Sequence, residues 1–300
     1  MKPNRTFLSF SALVVIDVLL TILLPPNAAT VRTYHLSGLE YHILALLVLL
    51  PIIIVWFAAF YGYSSLDQYA NTITRTADGK AFLKIAAGLR WLAWSMPITA
   101  ILNNVFGGIA HAHPAALTGG LIVAHYVNLG ISLVAFTIIG NGTSGLVQAT
   151  NKHLSLRTIR LLLAGFIALA VAYCYGTIAD LQHQHPNTYR LPMGLIMFTI
   201  VAPYLYAWLI GLLASYQIAF YCRQVRGVFY NRALTMFASG LAMAILSSVV
   251  LQYLVSSSGD LSQINFDGRL LLAYVFLVVF AIGFIMVALG SNKLKKIEEV

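Results

Sequence analysis

Eight uninterrupted apolar runs decide what this chain can become: approximately residues 7–24, 41–63, 82–104, 119–140, 159–179, 191–220, 233–255 and 270–290. About 20 helical residues cross a hydrocarbon core of about 30 Å, so runs of this length with few charges are membrane spans. Lipid offers peptide groups no hydrogen-bond partner, which leaves only helices or a closed barrel. The ten-residue alternation of a barrel is absent, and the spans are expected to be helices. Charge content agrees, since only 9% of the 300 residues are charged and a soluble domain needs about 25%. The fold class expected is therefore all-α, a polytopic membrane protein with eight transmembrane helices.

The first run follows Lys2 and Arg5 and could be taken for a signal peptide. It extends from Phe7 to Leu24, carries Asp17 within it, and is followed by Pro25-Pro26 without a small-x-small cleavage pattern. It is read as a span.

Loop charges set the orientation. Fourteen of the 18 basic residues fall on one side of the eight-span arrangement, from Lys2 and Arg5 through Lys80, Lys84, Lys152 and Arg232 to Lys293, Lys295 and Lys296. The opposite side carries Arg32, Arg190 and Arg269, and Arg90 lies within the third run. Basic loops stay cytoplasmic, which predicts both termini inside. A prokaryotic inner membrane is the expected location, on the compactness of the chain. The isoelectric point near 9.6 is then explained by orientation and anionic lipid, not by nucleic acid, because no basic stripe with interleaved aromatics occurs outside the runs.

A shift of 152 residues aligns 51–102 with 203–254 without a gap, and Pro51, Trp56, Tyr69, Gly88 and Ser95 fall on Pro203, Trp208, Tyr221, Gly240 and Ser247. This register predicts a duplication, with repeats at 1–150 and 151–300 inside one membrane domain. Four spans per repeat is an even number, so the copies would run parallel about an axis along the membrane normal. The outer spans, one with five and four with eight, match poorly at this shift.

Polar residues inside the runs are the first candidate site. Asp17 lies roughly 15 Å along the first span, Arg90 about 12 Å into the third, and His125 and Asn128 roughly 10–14 Å into the fourth. His125, Asn128 and Ser132 share one helix face. An unpaired charge at mid-bilayer costs about 2.5–3.5 kcal/mol, so Asp17 and Arg90 are expected to meet inside the bundle, with the other three completing a substrate or proton site. A buried ion pair that only fixes packing is the competing reading.

Histidines form the second. His111 and His113 in the third loop, and His183 and His185 in the fifth, could supply four nitrogens to Zn²⁺ or Cu²⁺ on the outer face. They could equally be exposed loop residues. A b-type haem would need two axial ligands at depth, and His125 has only shallow His42 to pair with. No other cofactor is expected.

Pro51 and Pro203 form the third, each expected at mid-depth and each predicted to kink its helix by removing an amide donor. Broken helices in corresponding positions point to a central binding site. No P-loop, GxSxG or HExxH motif occurs, so enzymatic chemistry has little footing. The function expected is a permease or transporter for a small molecule or ion. An outer-face metal-handling protein and a non-catalytic subunit or sensor are the alternatives.

Overall fold

The computed structural model describes residues 5–23, 38–112, 114–150, 202–225, 227–256 and 266–298. Among them are seven long helices: α1 (Arg5–Leu23), α2 (Gly38–Thr72), α3 (Ala77–Ala112), α4 (Pro114–Ala149), α5 (Ala202–Cys222), α6 (Val228–Ser256) and α7 (Phe266–Glu298). All seven are long and apolar enough to cross a membrane. The fifth expected span, 159–179, and the first part of the sixth lie outside the described residues.

Helices α2 to α7 form a closed ring in chain order, each packed on the next, with α7 returning to α2. Helix α1 stands outside this ring, against α2 and α3. Its contact is aromatic: Phe10 stacks on Phe60 at 4.5 Å, and meets Phe57 and Trp94 edge-on at 5.6 Å each.

Two interfaces within the ring are closer than side chains allow. A methyl group at Gly142 of α4 would lie 2.8 Å from the Ala81 carbonyl oxygen and 2.9 Å from the Ile85 nitrogen of α3. One at Gly290 of α7 would lie 2.7 Å from the Ala233 oxygen and 2.8 Å from the Phe237 nitrogen of α6. Membrane helices lack a hydrophobic drive to associate, and backbone approach at small residues supplies the packing contact instead.

Four helices greatly exceed the expected spans: α2 has 35 residues, α3 and α4 have 36 each, and α7 has 33. A 36-residue helix is about 54 Å long, far more than the roughly 30 Å of lipid it must cross. The exposed face of each helix marks where lipid ends. On α2 it runs Leu46, Leu50, Ile54, then Tyr61, then Gln68, Asn71 and Thr72. On α3 it runs Val105, Ile98, then Trp91 and Arg90, then Lys84 and Lys80. On α6 Leu246 gives way to Ser239, Thr235 and Arg232, and on α7 Leu289 gives way to Lys293 and Lys296. Aromatic and basic residues at one depth are the signature of a membrane–water interface. Beyond Tyr61, α2 continues for about 17 Å to Thr72, so the bundle projects from the bilayer at this basic end.

A central cavity and a tyrosine-bonded end

The centre of the ring contains a cavity of about 380 Å³, a volume suited to a small organic molecule. Trp56 of α2 and Trp208 of α5 face it, with Phe136 of α4 and Phe284 of α7, Leu89 of α3 and Leu241 of α6. Each ring helix thus contributes. Trp56 and Trp208 are nearly sealed from the surface, at 3% and 7% exposure, and Tyr204 stacks on Trp208 at 5.9 Å.

The cavity's hydroxyls are mostly engaged. Ser95 donates to the Leu92 carbonyl at 2.9 Å, Thr99 to the Ser95 carbonyl at 2.8 Å, and Ser248 to the Ile245 carbonyl at 2.7 Å. Each proton is turned back to its own helix, in a wall that is mostly carbon. No Asp, Glu, Lys, Arg or His lines the cavity among the described residues. Such a site favours a neutral ligand, since an ion would be desolvated there without compensation.

Among the described residues, Ser132 is the one of the five expected to converge that lines the cavity. His125 and Asn128 belong to α4 and stand two turns and one turn further along the face that carries Ser132; their side chains lie outside the described residues. Asp17 is buried between α1 and α3, away from the cavity. Asn104 donates to its Oδ1 at 2.8 Å and approaches the Thr21 hydroxyl at 3.2 Å, while Thr21 donates to the Asp17 carbonyl at 2.9 Å.

The expected Asp17–Arg90 pair does not form. Helices α1 and α3 run side by side, with Phe10 on Trp94 and Asp17 on Asn104, so Arg90 is level with the start of α1 near Arg5. That is about 18 Å from the level of Asp17. Arg90 is exposed beside Trp91, and Tyr63 is among the groups its charge acts on. Counting depth from the first apolar residue misplaced it, because α3 begins well outside the lipid. Asn104, the group Asp17 does use, was missed; the Asn103-Asn104 pair within an apolar run was the available signal.

Pro51 lies inside α2, buried, one residue before the cavity wall begins at Ile52. Pro203 is the second described residue of α5, and the chain before Ala202 lies outside the described residues. Pro97 lies inside α3 between the cavity residues Ser95 and Thr99, a mid-helix proline the sequence reading passed over. His111 lies in the last turn of α3 with its side chain outside the described residues, as are His113, His183 and His185 entirely. Among the described residues no group of three or more His, Cys, Asp or Glu could hold a metal.

At the basic end the ring is tied across its middle. Tyr221 of α5 donates to Asp78 Oδ2 of α3 at 2.7 Å, and the Tyr69 hydroxyl of α2 donates to that of Tyr230 of α6 at 3.1 Å. Phe82 packs edge-on against both Tyr69, at 5.4 Å, and Tyr221, at 6.3 Å. Between this layer and the cavity lie fully buried side chains, among them Leu66, Ile85, Ile218 and Leu234. The cavity is therefore closed off from the basic end.

No known family, characterised protein or solved structure matches the chain at a significant level.

Proposed function

We propose that this chain is a membrane carrier of the permease type for a small neutral molecule, apolar or weakly amphipathic, which binds between Trp56 and Trp208. The observation that carries this reading is a tryptophan-lined cavity at the centre of the helix ring, with no charged group in its wall. Asp17, earlier the expected proton-binding group, belongs in this reading to the seam between α1 and α3.

The carrier reading includes eight spans in a 4+4 parallel repeat, with the cavity on the pseudo-two-fold axis. Three observations support it. The neighbour order of α2, α3 and α4 recurs in α5, α6 and α7. Opposite cavity residues are related by the 152-residue shift: Ile52 with Tyr204, Val55 with Ala207, Trp56 with Trp208, Leu89 with Leu241. The glycine interfaces correspond as well: Ala81 and Ile85 are 152 residues from Ala233 and Phe237, whereas Gly142 is 148 from Gly290. That four-residue difference explains why the fourth and eighth spans matched poorly. At 148, Tyr126, Val127, Leu129, Phe136, Gly142 and Leu146 fall on Tyr274, Val275, Leu277, Phe284, Gly290 and Leu294.

The symmetry is incomplete. Ser132 corresponds to Phe280 and Thr99 to Leu251, while Ser248 corresponds to Met96 and Tyr204 to Ile52, so each half carries hydroxyls that the other lacks. By the charge asymmetry of the loops the basic end is cytoplasmic, and the tyrosine layer is the inner gate.

The test uses purified Trp91→Phe/Trp94→Phe protein, which keeps Trp56 and Trp208, titrated with 1-naphthol as a neutral probe. Saturable quenching is expected, abolished by Ser132→Phe, which installs the second half's own residue. Quenching that is linear and unchanged in the filled variant reflects detergent partitioning alone and defeats the reading. Carriage as distinct from binding requires that 1-naphthol change the rate at which a bifunctional maleimide bridges Tyr69→Cys and Tyr230→Cys.

A further inference from the structure

A second recess lies between α6 and α7 at the basic end, about 460 Å³ in volume, and it shares no lining residue with the central cavity. Its walls are Asn231, Arg232, Thr235 and Met236 of α6 and Lys293 of α7. Arg232, Thr235 and Lys293 are exposed. Two cations therefore share one recess with hydroxyl and amide groups, and no carboxylate lines it among the described residues. Two like charges in one recess favour an anion between them.

Depth identifies the source of that anion. Lys293 follows Leu289 by one turn, and Leu289, Ile285 and Ile282 are exposed apolar side chains at 44%, 37% and 43%. On α6 the exposed series passes from Arg232 through Thr235 and Ser239 to Leu246. The recess thus opens at the level where the lipid-facing surface turns polar, with an apolar track leading from it into the bilayer. A phosphate in the recess would sit at headgroup depth with its acyl chains along α7. Basic pockets between transmembrane helices at this depth are suited to anionic lipid headgroups. A soluble anion would use the cations but leave the apolar track unexplained.

The recess belongs to one half only. The positions 152 residues before Arg232 and Thr235 are Lys80 and Leu83, and the position 148 before Lys293 is Gly145. One of the two cations and the hydroxyl are missing there, so a single site per chain is expected.

We propose that the α6–α7 recess binds the headgroup of one anionic phospholipid, held by Arg232 and Lys293 with Thr235 as a hydrogen-bonding partner. The experiment is native mass spectrometry of the full chain released from detergent containing phosphatidylglycerol, phosphatidylcholine, or glycerol 3-phosphate. One retained phosphatidylglycerol is expected, with little retention of phosphatidylcholine and none of glycerol 3-phosphate. Arg232→Gln/Lys293→Gln should weaken that retention by about tenfold or more, as expected for removal of two headgroup-facing cations. Arg232→Lys/Lys293→Arg should restore it, and Lys80→Gln on the other half should leave it unchanged. All three variants alter exposed side chains, and unchanged circular dichroism confirms their folding. Equal retention of phosphatidylcholine, or indifference to the double Gln variant, overturns the proposal. Retention of glycerol 3-phosphate as strong as that of the lipid assigns the recess to a soluble anion and overturns it equally.

Discussion

Tyr221 donates to Asp78 at 2.7 Å, and the residues that correspond to them through the 152-residue shift, Tyr69 and Tyr230, are joined at 3.1 Å. The two bonds are reciprocal: each runs from a helix end in one half of the chain to the start of the next helix in the other. One accepts on a carboxylate and one on a hydroxyl, so they should differ in strength.

Charge-assisted hydrogen bonds contribute about 1.5–3 kcal/mol, against about 0.5–1.5 kcal/mol for neutral ones. Tyr221→Phe should therefore lower stability more than Tyr69→Phe in thermal unfolding of the purified protein. It also leaves Asp78 without its hydrogen bond, and Asp78 Oδ1 already has no partner among the described residues. A double-mutant cycle of Tyr221→Phe with Asp78→Asn should show coupling; additivity would deny the bond.

The glycine interfaces give a paired prediction. Gly142→Ala and Gly290→Ala each force a methyl group against backbone atoms that side-chain rotation cannot move. Each should cost about 1–3 kcal/mol, by similar amounts. Gly130, exposed on α4 with nothing within 4 Å of an added methyl group, supplies the contrast. Gly130→Ala should be neutral or stabilising by up to about 1 kcal/mol, through helix propensity alone.

Asp17 and Arg90 should behave as strangers. Removal of either alters a different neighbourhood, Asn104 and Thr21 for one and the interface near Tyr63 for the other. Stability changes for Asp17→Asn and Arg90→Gln should add within about 0.5 kcal/mol. Coupling above about 1 kcal/mol would bring back the ion pair. Asp17→Ala and Asn104→Ala, in contrast, should couple with each other.

The depth of the interface can be mapped by labelling. In a Cys174→Ser/Cys222→Ser background, Gln68→Cys, Asn71→Cys and Thr235→Cys should react with a membrane-impermeant maleimide in open membranes. Leu50→Cys, Ile54→Cys and Leu246→Cys should not. Reaction at Ile54 comparable to that at Gln68 would place the boundary elsewhere and remove the depth argument for the α6–α7 recess.

What the sequence determined by itself was the kind of solvent and the kind of element. Apolar runs of span length leave helices as the only economical solution, and the 152-residue register already paired Trp56 with Trp208. Periodicity was no help in going further, since a helix facing lipid on one side and helices on the other is apolar all round. Which residues face inward was decided by tertiary packing. Helix register also set depth: α3 starts outside the lipid, so Arg90 lies at the interface, and Asp17 turns to Asn104 in the seam beside the ring. The cavity itself is a property of closure. Six helices must meet α7 to α2 before Trp56 and Trp208 face the same space, and no local pattern in the chain encodes that meeting.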